Sequence, residues 1–163
     1  IEARLREKLD IPVFHDDQHG TAIVALAALR NALRVVDKRL EDVKIVVAGG
    51  GAAGTAIVHL MLEAGARHVL VWDREGILSP DDERLSPAKL DLAQRTNPGC
   101  VRGELPDALD GADVFIGVSG PNILTGEDVA RMNDGAVVFA LANPVPEVDP
   151  VEASRHAVAS LGA

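Results

Sequence analysis

The chain has 163 residues, which is enough for one domain of ordinary size but too few for two. Its apolar residues (47%) and charged residues (25%) occur in the proportions of a globular protein, which excludes a disordered tail, a collagen-like repeat and a disulfide scaffold. The net charge of −9 argues against nucleic acid and anionic membranes as partners, and the single Cys excludes an internal disulfide and favours the cytoplasm.

The first forty residues are predicted to be mainly helical. Residues 1–10 have the composition of a charged helix, which Pro12 ends because proline cannot continue the hydrogen-bond pattern. A second, amphipathic helix is predicted from apolar residues spaced three or four apart. The residues that give this spacing are Ile23, Leu26, Leu29, Leu33 and Val36.

Apolar runs of strand length alternate with helical segments in the middle of the chain. The first predicted strand covers residues 43–48 and the second covers residues 68–72, and Gly65 is placed to end the helix between them. Near-continuous apolar strands separated by helices are typical of a parallel sheet covered on both faces. We therefore predict an α/β fold with a Rossmann-like, doubly wound, mostly parallel sheet and helices on both faces.

The second half of this sheet is predicted from the apolar runs at residues 113–118 and 136–141. A third strand of the first half is weakly indicated, and Val101 is its only good candidate. Helices are predicted over residues 87–93, 105–109, 127–132 and 150–158.

Three glycines follow the first strand in the pattern G-x-G-x-x-G. Gly49 allows a tight turn, Gly51 lets the backbone approach a pyrophosphate, and Gly54 lets the next helix pack closely on the sheet. Ala52 and Ala53 open that helix, whose free N–H groups attract phosphate. The pattern predicts a dinucleotide site, and the alternative is a glycine-rich turn that only packs a helix.

Asp73 ends the second strand, 19 residues after Gly54, where its carboxylate can accept hydrogen bonds from ribose hydroxyls. An Asp at this position favours NAD because it repels a 2′-phosphate. The neighbouring Arg74 can accommodate that phosphate and so admit NADP, or it can be a solvated surface residue. Both cofactors therefore stay open.

Two loops follow the later predicted strands. Ligands of open parallel sheets bind at the carboxyl ends of the strands, so these loops supply candidate cofactor contacts. The same segments, Ser-Gly-Pro-Asn and Asn-Pro, are favoured turn sequences, which makes ordinary turns the alternative. The candidate contacts are Val118, Ser119, Gly120 and Asn143.

Residues 15–19 are dense in metal-ligating groups and have three interpretations. Asp16 and Asp17 can cap the helix that follows, which is the simplest reading, or they can bind Mg²⁺ or Mn²⁺ through oxygen. His15 and His19, four residues apart, can also hold zinc if they lie on one helix face. Gly20 argues against a helix there, and no third zinc ligand is evident.

The segment IPVFHDDQHGTA at residues 11–22 resembles the signature of bacterial malic enzymes. Two further motifs of that family resemble FIGVSGP at residues 115–121 and FALANP at residues 139–144, in the same order. The resemblance covers nearly the whole chain. It implies oxidation and decarboxylation of L-malate to pyruvate and CO₂ with NAD or NADP and with Mg²⁺ or Mn²⁺.

The resemblance also implies roles for single residues. Asp17 falls on a metal ligand of the family, and Asp16 is a neighbour that supports the metal site. The loop glycines and Asp73 fall on the dinucleotide site, although Gly50 stands where the family usually has Ala, which should loosen the loop. Contacts near the cofactor or substrate fall on Thr21, Ser119, Gly120 and Asn143.

The groups that transfer protons in the family, a Tyr acid and a Lys base, lie upstream of the first residue here, as does a Glu-Asp metal pair. This chain contains no Tyr. We therefore expect residues 1–40 to be a helical segment leading in from a catalytic domain, and residues 41–163 to be a C-terminally incomplete NAD(P)-binding domain. We expect no catalytic residue in the chain and no activity from it alone.

Two other functions remain as alternatives. Another dehydrogenase, acting on an amino acid or a folate, would share the glycine loop but would not explain residues 15–22. A non-catalytic module that senses a nucleotide is the other. We expect malate to be the small-molecule partner and the complete protein to be a homo-oligomer. We expect no nucleic-acid partner. We also expect no membrane partner, since no apolar run has the length of a membrane span.

Overall fold

The structure, a computed structural model that describes residues 2–162, is centred on a six-stranded sheet. The strands are β1 (Lys44–Ala48), β2 (His68–Asp73), β3 (Gly76–Ile77), β4 (Val114–Gly117), β5 (Val137–Ala140) and β6 (Ala159–Gly162). Their order across the sheet is β3-β2-β1-β4-β5-β6, and only the β2–β3 pair is antiparallel. This arrangement confirms the predicted doubly wound, mostly parallel sheet.

Helices cover both faces of the sheet. They are α1 (Glu2–Lys8), α2 (Thr21–Val35), α3 (Ala52–Glu63), α4 (Pro87–Thr96), α5 (Leu105–Leu109), α6 (Gly126–Val129) and α7 (Pro150–Ala153), and a π-helical turn (Asp16–Gly20) precedes α2. The apolar sides of α2, α3 and α4 share one buried cluster, and those of α5, α6 and α7 share another. Because side chains alternate along a strand, Ile45 and Val47 enter the first cluster while Val46 and Ala48 enter the second.

The end of α3, which was predicted, and the start of α4 both follow from local sequence. Gly65 follows α3 with a φ of +108°, and its amide donates to the Leu62 carbonyl while the Ala66 amide donates to the Met61 carbonyl. This is the paired bonding that lets a glycine end a helix. Ser86 caps α4 by accepting from the Lys89 amide at 3.4 Å.

The predicted third strand at Val101 is wrong. The Asn97 side chain accepts a hydrogen bond from the Val101 amide at 2.8 Å and donates to its carbonyl at 2.7 Å, so both backbone groups of Val101 are occupied outside the sheet. The edge next to β2 is instead formed by the two-residue β3. The amide of Ile77 in β3 donates to the Gly103 carbonyl at 3.0 Å.

The predicted helix over residues 150–158 is only partly correct. Asp149 caps α7 by accepting from the amides of Val151 and Glu152, but the helix ends at Ala153. The chain then returns to the sheet as β6, which pairs with β5 from Ala159 onward. The short apolar segment that forms β6 gave no strand signal of its own.

Helix α2 packs in the same core as the sheet that follows it in the sequence. Its residues Ala25, Leu29 and Leu33 are buried in one cluster with residues of β1. The core is thus continuous across residue 40, and the division of the chain at that residue stays a prediction. Among the helices of residues 2–162, none combines the length and hydropathy that crossing a membrane requires.

Candidate functional site

The loops after β1, β2, β4 and β5 meet at the carboxyl edge of the sheet, around two adjacent cavities. The first cavity has a volume of about 530 Å³ and lies between the glycine loop and the end of β2. The second, of about 490 Å³, lies between the start of α2 and the loop after β5. Residues 118–121 line both cavities, so the two form one continuous cleft at the point where the strand order reverses.

The structure brings together most of the predicted dinucleotide contacts. All of them except Ala52 and Gly54 line this cleft. The first cavity has Gly49, Gly51, Asp73 and Arg74; the second has Thr21, Ala53 and Asn143; and Val118, Ser119 and Gly120 line both.

The three loop glycines are each explained by their surroundings. Gly49 has a φ of +119°, and a Cβ there would lie 2.9 Å from the Val118 carbonyl oxygen. A Cβ on Gly54 would overlap the carbonyl oxygen of Gly49, because α3 packs directly against the loop. A Cβ on Gly51 would meet no atom within 4 Å, so this glycine borders open space. The loop is therefore closed on the protein side and open toward the first cavity.

Helix α3 offers its N-terminal amides to the same cleft. Gly51 is the residue before the helix, and it has no side chain that could cap it. The amides of Ala52, Ala53 and Gly54 are the first of the helix and have no carbonyl of a preceding turn to bond to. This end of the helix can accept an anion through the main-chain amides of Ala52, Ala53 and Gly54.

Asp73 is tied to the glycine loop. Its carboxylate accepts from the Gly50 amide at 3.0 Å and from the Arg74 amide at 2.8 Å, and its side chain is only 14% exposed. Burial disfavours the charged form, but the hydrogen bonds from Arg74, Lys89 and Gly50 outweigh burial and lower the pKa of Asp73. The carboxylate is therefore held ionised at the end of β2.

Lys89 was not identified from the sequence as part of this site. It extends from α4, and its Nζ lies 3.0 Å from Oδ2 of Asp73 and 2.7 Å from Oε2 of Glu75. Burial opposes protonation of Lys89, whereas its bonds to Glu75 and Asp73 raise its pKa. The acid that closes β2 therefore lies beside a cation, and only the packing of α4 on β2 brings the two together.

Glu147 is the second functional candidate that the sequence did not reveal. It is fully buried, and its carboxylate accepts from the Ser119 amide and from the Ala142 amide, both at 3.0 Å. It thus joins the loop after β4 to the loop after β5. The nearby Pro-Val-Pro sequence reads as a turn and carries no signal for a buried acid.

Asp16 and Asp17 lie at the start of the π-helical turn, and both are exposed. The predicted capping role is wrong, because neither this turn nor α2 has a side-chain cap. The expectation that Gly20 interrupts the helix is also wrong. Gly20 has right-handed helical angles (φ −63°, ψ −47°), so the turn runs directly into α2 and Thr21 reaches the second cavity.

The zinc interpretation of His15 and His19 gains no support. His19 Nε2 lies 2.7 Å from Oε1 of Glu2, and its ring packs against Phe14. Within residues 2–162 no group of three or more His, Cys, Asp or Glu side chains is arranged to hold a metal ion.

Comparison with known proteins agrees with this geometry. The profile of the family described as malic enzyme, NAD binding domain, matches residues 18–160. The NAD-dependent malic enzyme of Geobacillus stearothermophilus is 55% identical over 150 residues, which are 92% of this chain and 31% of that protein. The NADP-dependent malic enzyme of Halomonas elongata is 46% identical over 92% of this chain and 35% of that protein.

A solved structure gives the same picture. The NAD-dependent malic enzyme of Thermotoga maritima superimposes with a TM-score of 0.94 and 48% identity, over 99% of this chain and 44% of that one. The chain spans about a third of the length of the two relatives named above. The extent of the profile match and the identity to these relatives show that the chain belongs to the family of malic enzyme NAD-binding domains.

Proposed function

We propose that this chain is the cofactor-binding part of an enzyme that oxidises and decarboxylates L-malate to pyruvate and CO₂ with NAD⁺ or NADP⁺ and a divalent metal ion. One observation carries the proposal: the glycine loop, Asp73 and the loops after β4 and β5 border a single cleft. A glycine-rich turn that only packed a helix would need Gly54, but it would not need the open space in front of Gly51.

The cleft fits a dinucleotide along its length. The uncapped start of α3 receives the pyrophosphate, and the missing side chain of Gly51 leaves room for it. Asp73, at the end of β2, accepts hydrogen bonds from the ribose of the adenosine half. The other half extends past Ser119 and Gly120 toward the second cavity, which Thr21 and Asn143 line.

A bound nicotinamide supplies the acceptor for the hydride that leaves malate. The residues of this chain hold and orient the cofactor and the substrate. Asn143 can both donate and accept through its side-chain amide, which suits contact with a ribose or a carboxylate. Ser119 and Gly120 present a small surface that lets a ring approach the backbone closely.

The choice between NAD and NADP is set near Asp73. Asp73 repels a 2′-phosphate, whereas Arg74 and Lys89 attract one. The chain therefore combines both tendencies, and the relatives named above include an NAD-dependent and an NADP-dependent enzyme. We propose that the charge of Lys89 determines how well NADP is tolerated.

The described residues do not make a metal site by themselves, since Asp16 and Asp17 are exposed and have no third ligand-forming side chain beside them. We propose Asp17 as one ligand of a site completed by carboxylates outside this chain, with Asp16 in support. In this proposal residues 41–163 belong to the NAD(P)-binding domain, and residues 1–40 are a helical segment that carries Asp16 and Asp17 to its cleft.

The proton-transfer groups of the reaction, a Tyr and a Lys, belong outside this chain, which has no Tyr. The proposal therefore assigns no catalytic residue to residues 1–163 and predicts that they are inactive alone. We also propose a cytoplasmic location, in keeping with the single Cys, and a homo-oligomeric complete protein.

Calorimetry on the complete gene product tests the cofactor half of the proposal. We expect saturable binding of NAD⁺ or NADP⁺, and a loss of about tenfold or more in affinity for Asp73→Ala, which removes the acceptor for ribose and for two amides. Failure of a folded sample to bind either dinucleotide would overturn the proposal.

Replacement of Asp17 tests the malic enzyme half. Asp17→Asn should lower metal-dependent malate turnover by more than about tenfold, because it removes a charged ligand. Asp10→Asn, at an exposed position outside the site, is the matched control and should leave turnover unchanged. Unaltered turnover in Asp17→Asn would favour another kind of dehydrogenase.

A further inference from the structure

The carboxylate of Glu147 occupies an unusual position for a charged group. The residue is 0% exposed, and its two oxygens accept from two different loops: Oε1 from the Ser119 amide and Oε2 from the Ala142 amide. Within residues 2–162 these hydrogen bonds come from the main chain and not from a cationic side chain. Burying a carboxylate without a cation is costly, so a purely apolar side chain would serve packing better.

The two amides are the first that the sheet leaves unbonded. The Val118 amide donates to the Ala48 carbonyl, and the Leu141 amide donates to the Gly117 carbonyl, both at 2.9 Å. These are the last bonds of the ladder on either side of β4. The next amides along the two loops, those of Ser119 and Ala142, have no strand to bond to and are taken by Glu147 instead.

The main chain around Glu147 is itself fixed. The Glu147 carbonyl accepts from the Leu124 amide, and the Pro146 carbonyl accepts from the Asn122 amide, both at 3.0 Å. Gly117 leaves the space that the side chain fills, because a Cβ there would overlap the Glu147 carboxyl carbon and lie 2.7 Å from Oε1. The position of Glu147 is thus fixed both by the hydrogen bonds of the main chain around it and by the packing of its side chain against Gly117 of β4.

We infer that Glu147 is a positioning residue for catalysis, which sets the distance between the loop of Ser119 and Gly120 and the loop of Asn143. Glu147 is fully buried and acts through the two amides that it binds. Because those loops form the walls of the shared cleft, the loss of one bond moves both walls relative to each other. This inference rests on the proposed function of the cleft.

Glu147→Gln in the complete gene product tests it by steady-state kinetics. Glutamine keeps one acceptor oxygen but turns an NH₂ group toward the other amide, so one loop loses its bond. We expect kcat/KM for NAD(P)⁺ and for malate to fall by about tenfold or more, with KM raised for both. Unchanged kcat/KM in a folded variant would overturn the inference.

Asp113→Asn is the matched control. Asp113 is also a buried acid beside β4, and it accepts from the Lys44 amide at 2.8 Å, but it lies at the amino end of that strand, away from the cleft. This variant should unfold more readily, while its kcat/KM should stay within about twofold of wild type. An equal loss of kcat/KM in both variants would mean that Glu147 acts only through stability.

Gly117→Ala tests the same link without changing the carboxylate. Its Cβ displaces the Glu147 side chain, so it should reproduce the rise in KM. The double variant Gly117→Ala/Glu147→Gln should be little worse than either single one, because both break the same contact. Fully additive effects would contradict the inference.

Hydrogen exchange of the wild-type protein keeps the test independent of variant folding and of the proposed function. The amides of Ser119 and Ala142 should exchange slowly although neither lies in a strand or helix. Exchange as fast as in an unprotected loop would overturn the inference. Absence of NAD(P)-dependent malate turnover in wild type would instead overturn the proposed function.

Discussion

After β1 the cleft is shaped by glycines, which have no side chain, whereas between the ends of β4 and β5 it is shaped by one buried side chain, that of Glu147. Gly54 and Gly49 let helix and loop touch, and Gly51 leaves space for a ligand. Across the cleft, the buried carboxylate of Glu147 holds two loops that share no ladder bond.

The glycine loop and the wall held by Glu147 should respond differently to substitution. The glycine loop depends on volume, so a Cβ added at Gly49, Gly51 or Gly54 matters whatever the chemistry of the side chain. The opposite wall depends on hydrogen-bond acceptors, so an isosteric change of Glu147 matters although the volume is kept. Substitutions that add volume should therefore impair the glycine loop, whereas substitutions that keep the volume but remove an acceptor should impair the wall that Glu147 holds.

The largest effect is expected for Gly54→Ala. The new methyl group overlaps the Gly49 carbonyl oxygen, and neither the helix nor the loop can move without disturbing the sheet. We expect the free energy of unfolding to fall by about 1–3 kcal/mol and dinucleotide binding to be lost. Urea unfolding would measure the stability and calorimetry the binding. A variant as stable as the wild type would show that the loop and α3 can separate freely.

Gly51→Ala adds the same methyl group where the protein leaves open space. The free energy of unfolding should change by less than about 1 kcal/mol, because no atom lies within 4 Å of the new group. Affinity for NAD(P)⁺ should still fall by about tenfold, since the methyl group occupies the approach of the pyrophosphate. Calorimetry measures the affinity of this variant once urea unfolding has shown that it is as stable as the wild type. An unaltered affinity would place the phosphates elsewhere.

A smaller effect is expected for Lys89→Met. Without the ammonium group, Asp73 and Glu75 leave a more negative surface near the ribose. The ratio of kcat/KM for NADP⁺ to that for NAD⁺ should fall by about fivefold, the effect of about 1 kcal/mol for one charge at 4 Å in water. Arg95→Met, which removes an exposed cation of α4, is the control and should leave the ratio unchanged.

The smallest effect concerns acid stability. The folded pKa of Asp73 lies below its unfolded value of about 3.9, so its contribution to stability is complete above about pH 5 and is lost as pH falls through the folded pKa. Lys89→Met removes one cause of the shift and should therefore flatten this loss. Urea unfolding across acidic pH measures it, and identical slopes for both proteins would show that Lys89 does not stabilise the carboxylate.

What the sequence predicted was local. The glycine loop, Asp73 and the stop at Gly65 each depend on residues a few positions apart, where steric rules and helix capping act directly. Their positions in the structure follow those rules.

What the sequence did not predict depends on contacts between distant segments or on competition between bonds. Glu147 bonds to Ser119, 28 residues earlier, and Lys89 reaches Asp73 only because α4 packs on β2. Val101 has a side chain that favours strands, yet its backbone amide and carbonyl form hydrogen bonds with the Asn97 side chain instead of with a strand. No pattern of apolar spacing contains that information.

The shortness of β3 has a consequence for how the molecule behaves in a crowded solution. An outer strand with unpaired amides and carbonyls is a template on which a second chain can add its own strand. Here that border is only two residues long, and the Ile77 amide is already bonded to the Gly103 carbonyl. This side of the sheet therefore resists the strand-by-strand growth that leads to aggregation.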